Sequence, residues 1–212
     1  MIHDIEQRTE AWYQHRLGKI TASAISNILR KTKYGESQYK SKYRLELAIE
    51  RLTGKQANVV PVNDAMRNGI EREPEARDLF AKISKLDVQE CGAYNHPEIK
   101  NSSASPDGIV SDGENKFCLE IKCPAMMNHA SNLMDNKVPA KYLHQIMWQM
   151  ACTGLQGCYF VTYNPEFTEK TKLKYLFVER DDKLIKSMED AVREFDREVD
   201  VLVNILKGAN NG

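Results

Sequence analysis

A change of period along the chain constrains the fold more than any other feature. Over residues 88–123 the sequence breaks into short runs separated by His-Pro, Pro-Asp-Gly and Ser-Asp-Gly turns, the pattern of a strand meander, while apolar residues recur at helical spacing on both sides. A strand repeats every two residues and a helix every 3.6, so such a chain must set helices around a sheet. The expected elements are a short helix over 21–30, a longer one over 37–52 stopped at Thr53-Gly54, and a third over 63–85 that Pro74 should kink or split. Strands are expected over 88–94, 102–105, 109–110 and 117–123. A helix over 140–152 then precedes strands over 157–163 and 173–178. From Asp181 onward, Leu184, Met188, Val192, Phe195, Val199 and Leu202 predict one long amphipathic helix. The class is α/β, a central mixed β-sheet flanked by helices. No repeat or linker interrupts the 212 residues, 42% of them hydrophobic, so residues 1–212 read as a single domain with one sizeable core.

Composition narrows the function by exclusion. Thirty basic and thirty acidic side chains cancel, so any surface for a polyanion must be local. The stretch 30–55 carries an excess of Lys and Arg, and it reads as a solvated helix face in preference to a phosphate-tracking surface. The five cysteines are odd in number and hold no C-x-x-C pair, which argues against a disulfide framework and a zinc site and predicts reduced, mostly buried thiols. No apolar run approaches the ~20 residues that cross a bilayer, and MIHDIEQRTE has no apolar stretch of a signal peptide, so a cytoplasmic protein is expected.

The chemistry concentrates in Ser105-Pro-Asp107-Gly108 and Leu119-Glu120-Ile121-Lys122-Cys123-Pro124. Asp107 falls in a turn between strands. Glu120 and Lys122 stand two residues apart on a strand and leave by one face, with Leu119, Ile121 and Cys123 expected on the opposite, core-facing side. Two carboxylates converging from adjacent strands can hold a hard divalent cation, and a lysine beside them can stabilise a hydroxide or a developing phosphorane charge. Pro-Asp, a spacer, then Glu-x-Lys resembles the motif of restriction-endonuclease-like nucleases, which implies that core fold.

Four blocks extend the resemblance: Trp12-Tyr-Gln-His-Arg16-Leu-Gly-Lys-Ile-Thr-Ala-Ser23; Gly69-x-x-x-Glu73-x-x-Ala76-Arg77; Ser105-Pro-Asp-Gly108 with Glu120-x-Lys122; and Tyr142-x-x-Gln145. In this order they are similar to the lambda exonuclease family of phage alkaline exonucleases and YqaJ-like viral recombinase nucleases. The resemblance implies a 5′-to-3′ exonuclease on double-stranded DNA ends that releases mononucleotides and leaves 3′ overhangs for a single-strand annealing recombinase. It implies two Mg2+ ions, replaceable by Mn2+, held by Glu73, Asp107, Glu120 and the Ile121 carbonyl, with Lys122 and Gln145 completing the catalytic set. It further implies a 5′-phosphate site at Arg16, Ser23 and Ser105, DNA contacts from Tyr142 and Arg30, a ring-shaped homotrimer and a phage or prophage origin. Met147 and Asn128 depart from the family pattern, where a second glutamine and an arginine stand.

Two other functions compete. An endonuclease of the same fold would share Asp107, Glu120 and Lys122 without needing Arg16 and Ser23 for a terminal phosphate. A non-catalytic DNA-binding module would gain nothing from three carboxylates facing a polyanion.

Overall fold

The computed structural model describes residues 2–208 apart from residues 4, 34, 59, 60 and 62. Ile2–His3 forms a short strand, β1. The Thr9 hydroxyl caps the next helix, α1 (Glu10–Arg16), by accepting the Trp12 N–H at 3.3 Å. The helix expected over 21–30 divides into β2 (Ile20–Thr21), a 3-10 turn (Ala22–Ala24) and α2 (Ile25–Leu29). Tertiary bonding overrides helix propensity there: the Tyr43 hydroxyl accepts the Thr21 N–H at 3.1 Å, and Thr21 pairs in register with Ser103. A minimal hairpin, β3 (Lys31–Thr32) with β4 (Gly35–Glu36), leads to α3 (Gln38–Thr53), capped by Ser37 and closed by Gly54 at φ 66°. Asn63 caps α4 (Asp64–Ser84), which continues through Pro74 as one helix instead of splitting. Pro74 is exposed, so the Ile70 carbonyl that loses its donor is on the side where water can replace it.

The strand expected over 88–94 is two strands in two sheets. β5 (Asp87–Gln89) pairs with β8 (Gly108–Ser111), whereas β6 (Ala93–Asn95) pairs with β7 (Ser102–Ala104) and β1. The corner between them is pinned by Gln7 Nε2 donating to the carbonyls of Cys91 (3.2 Å) and Pro106 (2.7 Å). β9 (Lys116–Lys122), α5 (Met126–Met134), α6 (Ala140–Thr153), β10 (Gly157–Tyr163), β11 (Leu173–Glu179) and α7 (Asp182–Leu206) complete the chain. The larger sheet has the order β11-β10-β9-β8-β5, and the smaller β1-β6-β7-β2. In the larger sheet β9 and β10 are parallel, and α5 and α6 form the crossover that a parallel pair requires; its other pairs are antiparallel.

Helices cover both faces of the larger sheet. On one, Ala76 and Phe80 of α4 pack on Val110, Leu119, Ile121, Val161 and Tyr163. On the other, α6 and α7 enclose Cys118, Cys158 and Phe160, with α7 burying Ile185, Met188, Val192, Phe195, Val199 and Val203 along one stripe. Each such side chain contributes ~1.5–3 kcal/mol when fully buried, so this stripe fastens the C-terminal helix. Ion pairs reinforce it: Lys40 and Arg44 meet Glu198 at 2.9 and 2.7 Å, and Arg51 meets Asp196 at 2.6 Å. Three of the basic residues in 30–55 therefore clamp α3 to α7, serving neither as an open solvated face nor as a phosphate track. The five cysteines are free thiols, three of them buried. Among the described residues no helix is long and apolar enough to cross a membrane.

Candidate active site

The site forms where the C-terminal end of β9 emerges between its two helical layers, the position where open α/β sheets bind ligands. Gly108 makes the first contact possible. A Cβ there would lie 2.9 Å from the Gln89 carbonyl oxygen, so only glycine lets β8 close on β5. That closure sets Asp107 against β9: its N–H donates to the Leu119 carbonyl at 2.9 Å and its Oδ2 accepts the Ile121 N–H at 2.7 Å. The Pro-Asp-Gly turn thus aims one carboxylate at the neighbouring strand's end.

Glu120 and Lys122 do leave β9 on one face, but that face is not open. α6 covers it, and Glu120 is 0% exposed. Three donors compensate its burial: Gln145 Nε2 reaches Oε1 at 2.7 Å, Gln149 Nε2 reaches Oε2 at 2.5 Å, and the Lys122 ammonium also sits on Oε1. Charge-assisted bonds of this kind are what make a buried carboxylate tolerable. Lys122 also lies 5.3 Å from the Tyr142 ring centroid, and Tyr142 stacks on Phe160 at 5.6 Å. Glu73 enters from the opposite layer on α4. Arg77 holds one of its oxygens at 2.8 Å and Arg8, a left-handed residue at φ 68°, holds the other. Glu73, Asp107, Ile121, Lys122, Asn128 and Tyr142 all line one cleft of ≈ 690 Å³.

The charges are strongly coupled. Burial and the neighbouring Glu120 and Glu73 carboxylates push the Asp107 carboxyl well above the usual range, against the opposing pull of Lys122. Burial disfavours the Lys122 charge, yet Glu120 and Asp107 outweigh it and raise its pKa. The neighbouring carboxylates thus favour the ammonium form of Lys122. Among the described residues no three His, Cys, Asp or Glu side chains converge closely enough to hold an ion alone. The oxygens that fit a hard cation are those of Asp107, Glu120 and the Ile121 carbonyl, with room in the cleft for water and a phosphate. The raised Asp107 carboxyl marks a deficit of positive charge at this point, which a divalent ion would relieve.

The other expected residues are distributed around this cleft. Arg16 stacks on Trp12 at 4.1 Å, and the Trp12 indole donates to Ser105 Oγ at 3.0 Å, so Trp12 joins two of the three expected phosphate ligands. Burial lowers the Arg16 pKa against the opposing Tyr43, Tyr13 and Glu50, and Arg16 makes no ion pair among the described residues. Ser23 is exposed and lines a second cavity of ≈ 420 Å³ with Arg30, Lys141, Tyr142 and Gln145; its link to the Arg16 side is a 3.4 Å contact with Thr21. Arg30 stacks over Tyr39 at 4.4 Å. Met147 is buried in the core and Asn128 sits exposed at the cleft. Sequence reasoning missed Gln149 and Arg8. Gln149 stands four residues after Gln145, hence on the same helix face, and that spacing was the available signal. Arg8 lies outside any regular element and had none.

Comparison with known proteins identifies relatives of this chain. Residues 11–156 match the YqaJ-like viral recombinase domain. The crystal structure of an alkaline exonuclease (LHK-Exo) from Laribacter hongkongensis superposes with a TM-score of 0.86 at 37% identity, covering 95% of this chain and 98% of that one. Its complex with dAMP gives 0.87 at 36% identity over the same shares. A phage related exonuclease from Haemophilus somnus 129PT shares the fold at a TM-score of 0.70 and 16% identity, over 89% of this chain and 96% of that one. An uncharacterized protein, R354, of Acanthamoeba polyphaga mimivirus is 27% identical over 172 residues, 76% of this chain, which spans 29% of the viral protein's length. With the model spanning all four motif blocks and a solved relative matched along nearly its whole length, the chain belongs to the YqaJ-like viral recombinase family, together with the alkaline exonucleases of the lambda exonuclease type.

Proposed function

We propose that this protein is a Mg2+-dependent exonuclease that degrades one strand of duplex DNA from its 5′ end, releasing mononucleotides and leaving a 3′ overhang. The observation that carries the reading is the grouping of Asp107, Glu120 and Lys122 around the end of β9, where Asp107 and Lys122 line a cleft walled by Tyr142 and Glu120 is buried behind them. Family membership and the likeness to LHK-Exo support nuclease activity. Magnesium, held by Asp107, Glu120 and the Ile121 carbonyl, would supply Lewis acidity and an ionised water; Mn2+ would substitute. Glu73, with both oxygens on arginines, would join as the ligand of a second ion.

The chain's own residues do the rest. Gln145 and Gln149 fix the Glu120 carboxylate, so its charge is in place before the substrate arrives. Lys122, held protonated, neutralises charge developing on the phosphoryl oxygens. Tyr142 offers a ring face beside that ammonium. Arg16, anchored on Trp12 and without a carboxylate partner among the described residues, is suited to a terminal phosphate, with Ser105 and Ser23 as hydroxyl donors. In this reading the protein works in a bacterial host, phage-encoded, as a homotrimer with a single-strand annealing partner.

The test incubates the protein with Mg2+ and either linear or covalently closed circular duplex. Mononucleotides from linear DNA alone support the proposal. Nicking of the circle would assign an endonuclease of this fold, and binding without hydrolysis would leave only a DNA-binding module.

A further inference from the structure

Glu120 is held by two glutamines that differ in what else they can reach. Gln145 is partly exposed and lines the cavity it shares with Ser23 and Arg30, so it can also meet a substrate. Gln149, one turn on, is 0% exposed, lines neither of the two cavities described above and has Glu120 as its partner through Nε2 at 2.5 Å. Its amide oxygen is buried without a hydrogen-bond partner among the described residues. A core position that tolerates an unmet acceptor for the sake of one donor is specified by that donor. The donor is also neutral. An arginine or lysine there would add a second positive charge to a carboxylate that already carries the Lys122 ammonium, whereas an amide orients the carboxylate and adds no charge.

The two ends of the carboxylate are thus divided. Oε2 faces Gln149 in the core, and Oε1 is the oxygen that Lys122 and Gln145 share on the cavity side. We infer that Gln149 is a positioning residue of the cation site: by tethering Oε2 it fixes the rotation of the Glu120 carboxylate and keeps Oε1 turned toward Lys122 and the cleft. The inference rests on the proposed cation-dependent reaction. Gln149 touches neither substrate nor reacting atoms, and it acts only through Glu120.

The test measures Mn2+ binding by isothermal titration calorimetry without DNA, alongside melting temperature and the Mg2+ dependence of hydrolysis. Gln149→Met keeps the side-chain volume and removes the donor, and Gln149→Asn keeps the amide one methylene too short. Loss of such an outer contact weakens metal binding by roughly 10–100-fold. Both variants should show that loss in Mn2+ affinity while still unfolding cooperatively at a somewhat lowered melting temperature, with hydrolysis recovering as Mg2+ is raised. Should Gln149→Met fail to fold, Gln149→Asn decides alone. Wild-type Mn2+ affinity in a folded variant overturns the inference, as does lost activity that added metal does not restore. Wild-type protein that binds no Mn2+, or an Asp107→Asn variant that binds it undiminished, would instead overturn the cation reading itself, and this inference with it.

Discussion

Replacing Lys122 by Met keeps an unbranched side chain of nearly the same length and deletes one charge from the cluster it forms with Glu120 and Asp107. Glu120 is fully buried and shares Oε1 between the Lys122 ammonium and the Gln145 amide, with Asp107 close enough for its carboxyl to be raised by Glu120. Breaking a buried pair from one side costs about 3–5 kcal/mol, and the two amides that remain on Glu120 place the loss near the lower end. For a chain of this length ~3 kcal/mol corresponds to a fall of roughly 6–12 °C in melting temperature. The sign with pH follows from Asp107. Its folded pKa is raised, so the folded protein holds a proton that the unfolded chain releases, and stability falls as pH rises through the raised value. Without Lys122 that value rises further, so the deficit of Lys122→Met should widen as pH rises, with pH 6 and pH 9 as the two points of comparison. A divalent ion at the same oxygens should close it. The assay is thermal unfolding of both proteins in EDTA and in Mg2+ at the two pH values. Equal melting temperatures in EDTA at pH 9, or a deficit that Mg2+ does not reduce, would refute the coupling of these three groups.

Three further outcomes follow. Gly108→Ala drives a Cβ to 2.9 Å from the Gln89 carbonyl oxygen, a backbone atom that cannot rotate away, so it should destabilise the fold by about 1–3 kcal/mol and displace Asp107; unchanged denaturant midpoint and activity would contradict this. His96 accepts the Glu98 and Ile99 N–H groups through Nδ1 and stacks on Trp148, and burial, aided by Arg193, lowers its pKa to about 4 against the opposing pull of Glu98 and of the Glu189 carboxylate 3.3 Å from Nε2. The unfolded imidazole, at about 6.5, binds the proton first, so stability is full above that value and declines as pH falls toward 4; an NMR titration midpoint near 6.5 would disprove the burial argument. If Arg16 grips a terminal phosphate, Arg16→Ala should slow 5′-phosphorylated duplex about tenfold to a hundredfold while barely affecting a 5′-hydroxyl end. Equal slowing of both substrates would make Arg16 a structural residue.

What could be read in advance was what depends on neighbours in sequence. The long stripe from Leu184 to Leu202 has one periodicity and one solution, and α7 takes it. Gly54 stops α3, and the Pro-Asp-Gly turn presents Asp107 beside β9. The failures are places where distant partners decide. Nothing local says that 88–94 must leave one sheet for another, because the anchors are Gln7 and Pro106. Thr21 is drawn out of a helix by Tyr43 and Ser103. The alternation of β9 placed Glu120 and Lys122 on one face correctly, but alternation cannot tell an open face from one roofed by a helix carrying two glutamines. α1 and α5 are too short for periodicity to register. Glu73 was legible as a helical carboxylate of the family motif, while its two arginines follow only from the packed structure.

The polarity of digestion separates a 5′-end exonuclease from every other nuclease that this site could serve. A linear duplex carrying a radiolabelled 5′ phosphate on one strand, or a label at the 3′ terminus of that strand, is digested in Mg2+ and sampled during the first turnovers. The account predicts that the 5′ label appears at once as a mononucleotide while the 3′ label stays in long strands until late, and that Glu120→Gln abolishes both signals. Early release of the 3′ label, or release of the 5′ label in oligonucleotides, would contradict it.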